Sequence, residues 1–176
     1  MTQNAADTPP GNRGRVGVLL TNLGTPGAPT ARALRTYLAG PLGAAAVGDY
    51  PRPLGWLALH GVICRGRPGR PARLYRTSWT DEGAPLLAIT RGQAEELQAE
   101  LDGRFGARIK VALGMRYGNP SVAAALDELI TAGVERVLVF PLYPQYSCST
   151  TASTFDAVAA ALRGYLRLPE RRCVNG

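Results

Sequence analysis

Apolar runs alternate with amphipathic stretches along this chain, and their spacing predicts the order of its elements. Residues 15–23, RVGVLLTNL, are β-branched and leucine-rich and stop at GTPGAP, which reads as a buried strand followed by a turn. In residues 29–40 the apolar positions Ala33, Leu34, Tyr37 and Leu38 fall at helical spacing, and Gly40 closes the stretch. Residues 51–79 suggest two short helices around a Gly/Pro/Arg hinge at 65–71. An amphipathic helix is predicted over 86–106, with Leu97 and Leu101 one turn apart. A second strand, 108–117, leads into a helix over 119–133, with Asn119 as N-cap, Pro120 as first helical residue and Gly133 as stop. The apolar stripe of that helix is Val122, Leu126, Leu129 and Ile130. A third strand is predicted over 135–143 and a helix over 153–166. The final LPERRCVNG falls where an alternating layout requires another strand.

Near-continuous apolar strands separated by helices imply the α/β class, a parallel β-sheet with helices on both faces. Residues 1–14 are polar and lack the apolar core of an export signal, so they read as a disordered leader before a domain over 15–176. No apolar run reaches the ~18–20 residues needed to span a bilayer, and a cytoplasmic location is the expectation. The formal net charge of +7 comes almost wholly from arginine, whose planar fork suits carboxylate or phosphate. Charge alone would also admit nucleic acid, but no nucleic-acid motif accompanies it, and none is expected as a partner. The cysteines, Cys64, Cys148 and Cys173, are odd in number and widely spaced, with no metal-ligand spacing, and are expected to be free thiols.

Ligands of open parallel sheets sit beyond the carboxyl ends of the strands. Here those ends are TNLGTPG (21–27), GMRYGNP (114–120) and PLYPQYSCSTT (141–151). GTPG is not a dinucleotide fingerprint, and the P-loop pattern is absent. What the three loops offer instead are phenol rings at Tyr117, Tyr143 and Tyr146, a cation at Arg116, and a row of hydroxyls. A large, flat, apolar ligand with carboxylate arms suits such a wall. Arg65, Arg67, Arg70, Arg73 and Arg76 could supply forks for those arms, or could equally form a solvated face.

Four blocks, VGVLLTNLGTPGAPTARALRTYL, YRTSWTDEGAPL, VALGMRYGNPSV and VLVFPLYPQYSCSTT, resemble the ferrochelatases of Gram-negative bacteria in order and spacing, from about residue 15 onward. The resemblance implies a Rossmann-like, chelatase-type fold of two similar halves around a porphyrin cleft. Residues 15–176 would be the N-terminal half-domain, truncated before the catalytic second half. The activity it implies is insertion of Fe²⁺ into protoporphyrin IX to form protohaem, the last step of haem biosynthesis. It assigns Leu23 to an apolar wall, Arg67 and Tyr75 to the porphyrin propionates, and Arg70 to a nearby basic position. Arg116 and Tyr117 would line the side by which metal enters, and Tyr143, Ser149 and Thr150 the wall after the third strand. Ala84 stands where many relatives carry a propionate-binding hydroxyl.

The family's proton-accepting histidine lies in an S-x-H-G/S-x-P segment of its second half, and its assisting glutamate further on. Neither is present, so no catalytic residue and no metal ligand is expected in this chain. The sole histidine, His60, lies in LALHGVIC, outside that context. Cys148 matches a position that ligates a [2Fe–2S] cluster in some relatives, which would require further cysteines from a full-length chain; here it is expected to be free and partly buried. The implied partners are protoporphyrin IX and Fe²⁺, with peripheral contact to an anionic membrane through Trp56, Leu57, Leu59, Ile63 and the arginines beside them. Two alternatives stay open: a non-catalytic porphyrin- or haem-binding module, and a coproporphyrin ferrochelatase. Leu23 favours protoporphyrin over the latter, because coproporphyrin enzymes often carry tyrosine there.

Overall fold

A computed structural model describes residues 14–39, 75–165 and 169–174. Four parallel strands form one sheet in the order β2-β1-β3-β4. They are β1 (Arg15–Gly24), β2 (Ile109–Tyr117), β3 (Val134–Pro141) and β4 (Glu170–Cys173). The helices are α1 (Ala31–Ala39), α2 (Pro85–Phe105), α3 (Val122–Thr131) and α4 (Ser153–Leu162), and a π-helical turn, Cys148–Ala152, runs directly into α4. This is the expected α/β arrangement, and the further strand anticipated in LPERRCVNG is β4, paired with β3 from Arg136↔Glu170 to Val139↔Cys173.

Alternation along β1 divides the core. Val18 and Leu20 point to one face with Val111, where Leu97 and Leu101 of α2 pack on them. Leu19 points to the other, where Ala112, Val137 and Val139 meet α3 and α4 through Leu126, Leu129, Val158 and Leu162. Leu19, Leu126 and Leu129 are fully buried, each worth about 1.5–3 kcal/mol of transfer free energy. Close packing of α3 depends on Gly114, where an added Cβ would lie 2.9 Å from the Cα of Val122.

The start of α3 differs from the expectation. The helix begins at Val122, and its N-cap is Ser121, whose extended backbone lets Oγ accept the Ala124 N–H at 3.1 Å. Asn119 and Pro120 lie in the preceding turn, joined by a cis peptide bond. Gly133 does stop the helix, at φ 75°. β3 ends at Pro141 rather than Tyr143, since proline offers no N–H to continue the ladder, although the Leu142 N–H still reaches Thr21 O at 2.8 Å. α4 ends at Leu162, four residues early. Of the helices expected in 51–79, only a helical turn at 75–78 falls among the described residues. No described helix is long and apolar enough to cross a membrane.

Candidate functional site

The carboxyl ends of β1, β2 and β3 open on one rim of the sheet, and the local chain explains why. Gly24 ends β1 at φ 103°, and a Cβ there would collide with the Tyr117 carbonyl oxygen, so only glycine lets the two strand ends touch. Thr30 then caps α1, its Oγ1 accepting the Ala33 N–H at 3.2 Å. The block YRTSWTDEGAPL folds as a helical turn and a tight turn, closed by reciprocal backbone bonds of 3.0 Å between Thr80 and Gly83, which deliver Ala84 and Pro85 to the start of α2.

Arg116 and Tyr117 share an anchor on α4. The Arg116 Nε–H donates to Ser153 Oγ at 2.8 Å, and Tyr117 Oη lies 3.3 Å from the same atom. The guanidinium carbon stands 4.6 Å from the Tyr117 ring centroid, a cation–π contact. Tyr117 and Ser153 are buried, so this is a fixed arrangement rather than a surface side chain at liberty.

Tyr37 was legible in the sequence only as a helix-face residue. Its Oη donates to the Gly24 carbonyl at 3.0 Å, tying α1 to the turn that follows Leu23. Burial pushes its phenol up to about 12, and the phenols of Tyr75, Tyr117 and Tyr143 add to the rise. Four tyrosines therefore converge here, three of them expected. Tyr143 is raised too, chiefly by burial; the nearby Thr154 hydroxyl and Arg116 oppose the rise and the Tyr117 phenol adds to it. Thr154 is close enough to act electrostatically, yet neither hydroxyl makes a hydrogen bond of ordinary geometry among the described residues. A cleft of about 510 Å³ opens beside this cluster between α1 and the loop after β2, with Arg32, Tyr37, Arg116, Tyr117 and Asn119 in its wall.

The remaining expected residues are distributed as follows. Leu23 is half-buried, its N–H bonded to Asn22 Oδ1 at 2.8 Å. Ser149 and Thr150 lie in the π-helical turn, where Ser147 organises them: its Oγ is 3.0 Å from Ser149 Oγ and its carbonyl accepts the Thr150 N–H at 3.2 Å. Ala84 is buried at the N-cap of α2 without a side-chain capping bond. Arg67, Arg70, His60, Cys64 and the apolar residues at 56–63 lie outside the described residues. Cys148 corrects one expectation: it is free but exposed, because the π-helical turn carries it on its outer side. Among the described residues no three His, Cys, Asp or Glu side chains gather as a metal site, and Cys148 is a single thiol. By themselves the described residues do not supply the ligand set of an iron–sulfur cluster.

A parallel sheet with a polar, aromatic cleft at its carboxyl rim defines an open α/β domain with a candidate ligand site. Comparison with known proteins makes the class specific. The family model described as Ferrochelatase matches residues 15–176. The chain is 54% identical over 160 residues to the ferrochelatase of Nitrosococcus oceani, which covers 91% of this chain and 43% of the relative. It is 50% identical to the ferrochelatase of Marinobacter nauticus (92% and 44% covered) and 47% identical to ferrochelatase 2 of Shewanella oneidensis (93% and 50%). The chain belongs to the ferrochelatase family, and it spans about half the length, or somewhat less, of these relatives.

Proposed function

We propose that residues 15–176 form the N-terminal, porphyrin-binding half of a ferrochelatase, a metal-insertion lyase of haem biosynthesis that places Fe²⁺ in protoporphyrin IX. One observation carries this reading: Tyr75, Tyr117, Tyr143 and Arg116 converge on one rim, joined by Tyr37. An exposed phenol face such as that of Tyr75 suits a flat macrocycle, while the buried Tyr117 holds Arg116 at the rim. In this reading Leu23 packs against the ring face, Tyr75 with Arg67 and Arg70 holds propionates, and Ser149 and Thr150 continue the wall. Tyr37 and Tyr143 stay protonated at neutral pH, so neither acts as a base; the one proton of Tyr37 is held by the Gly24 carbonyl, and that residue contributes surface rather than a donor.

Iron insertion also requires removal of two pyrrole protons, and the family assigns that to the half this chain does not supply. Fe²⁺ is substrate here, and so is the porphyrin. A cytoplasmic setting with peripheral contact to anionic lipid through residues 53–70 belongs to the same proposal. The test is zinc insertion into mesoporphyrin, read by loss of porphyrin fluorescence. The 176-residue chain is expected to turn over negligibly, and a polypeptide extended by the downstream half of a relative to turn over readily. Comparable turnover by both would overturn the division of labour.

A further inference from the structure

The cleft between α1 and the loop after β2 has a donor set with a definite preference. Two guanidiniums, Arg32 and Arg116, line it, with hydroxyls from Thr25 and Tyr37 and the Asn119 amide. Among the described residues of its wall none is Asp or Glu. Arg116 is already restrained: Nε is bound to Ser153 and the plane lies against Tyr117, which leaves the four N–H groups of its two terminal nitrogens without a partner among the described residues. A guanidinium held this way loses little entropy on binding and presents a fork matched to a carboxylate. Arg32, exposed in the first turn of α1, supplies a second positive charge from the opposite wall. At about 510 Å³ the cleft is large enough for more than a monatomic ion.

We propose that this cleft is a carboxylate-binding site, with Arg116 as its fixed fork and Arg32 as its outer cation. Its occupant is either an acid arm of the tetrapyrrole or a free small dicarboxylate. The inference rests on the reading of this rim as the ligand rim, and the experiment separates the two. Calorimetric titration of the 176-residue chain with succinate is expected to show saturable binding that weakens as salt rises. Arg32→Ala and Arg116→Gln are each expected to weaken it at least about fivefold, the loss of one charge-assisted contact. Arg32 is exposed, so its variant folds even if the Arg116 variant does not. Absence of succinate binding by the folded chain, or equal binding by wild type and Arg32→Ala, overturns the proposal.

A parallel titration with mesoporphyrin and its dimethyl ester identifies the source. If succinate competes with mesoporphyrin and the ester binds more weakly, the cleft holds an arm of the macrocycle. If succinate binds without competition, the cleft takes a free dicarboxylate. If succinate binds and neither porphyrin does, the carboxylate site stands and the tetrapyrrole reading falls.

Discussion

Replacing Ser153 by alanine removes the one atom on which Arg116 and Tyr117 both depend. Ser153 is 8% exposed and Tyr117 3%, so water does not readily replace the lost hydroxyl. The bond from Arg116 Nε, at 2.8 Å, is charge-assisted and worth about 1.5–3 kcal/mol in a buried setting. Arg116 is only half-buried and recovers part of that from solvent, leaving roughly 1 kcal/mol. Tyr117 Oη is left without its partner, at a further cost of about 1–2 kcal/mol. The sum is about 2–3 kcal/mol. With a urea slope of about 2 kcal/mol/M, the unfolding midpoint falls by roughly 1–1.5 M. Far-UV circular dichroism across a urea series measures it. The same variant frees the guanidinium, so succinate affinity is expected to drop although Ser153 does not line the cleft. An unchanged midpoint, within about 0.3 M, together with unchanged succinate affinity would refute the anchoring role.

Further outcomes follow from the packing and the phenols. Leu129→Ala opens a void in the fully buried α3 contact and is expected to cost about 2–5 kcal/mol, read by the same urea series. Ala84→Ser supplies the hydroxyl that the α2 N-cap lacks, and thermal unfolding is expected to show a gain of about 0.5–1 kcal/mol. Because the Tyr37 phenol is raised to about 12 in the folded chain against about 10 when unfolded, the unfolded state loses that proton first as pH climbs. The stability this contributes is complete below pH ~10 and is lost between ~10 and ~12. Tyr37→Phe is expected to flatten the decline and to remove one late-ionising tyrosine from a 295 nm titration.

The parallel sheet and its two covered faces could be read from the chain because buried strands of this kind are apolar at nearly every position, as in Val16–Leu20 and Val137–Val139. Arg116, Tyr117 and Tyr143 could be placed at one rim because strand ends follow from strand direction once the sheet is parallel, whereas Tyr75, in the helical turn at 75–78, was indicated only by the family resemblance. Tyr37 could not. Its role depends on a 3.0 Å bond to Gly24 O that arises from how α1 folds back over the β1 turn, and helical spacing alone presents it as an apolar contact. The Ser153 anchor was hidden for a similar reason. A serine at the start of an expected helix reads as a local cap, whereas this one serves side chains 36 and 37 residues away. The N-cap of α3 lies at Ser121, two residues beyond the expected Asn119, because it is Ser121 that has the extended backbone and whose Oγ accepts the Ala124 N–H.

The most direct measurement is a Soret-band titration of the folded 176-residue chain with mesoporphyrin, run beside Tyr143→Ala and Arg116→Gln. Saturable one-to-one binding by the wild type, weakened severalfold in both variants, is the expected result. A folded chain that leaves the Soret band unmoved, or variants that bind as well as the wild type, would contradict the claim that this rim holds a tetrapyrrole.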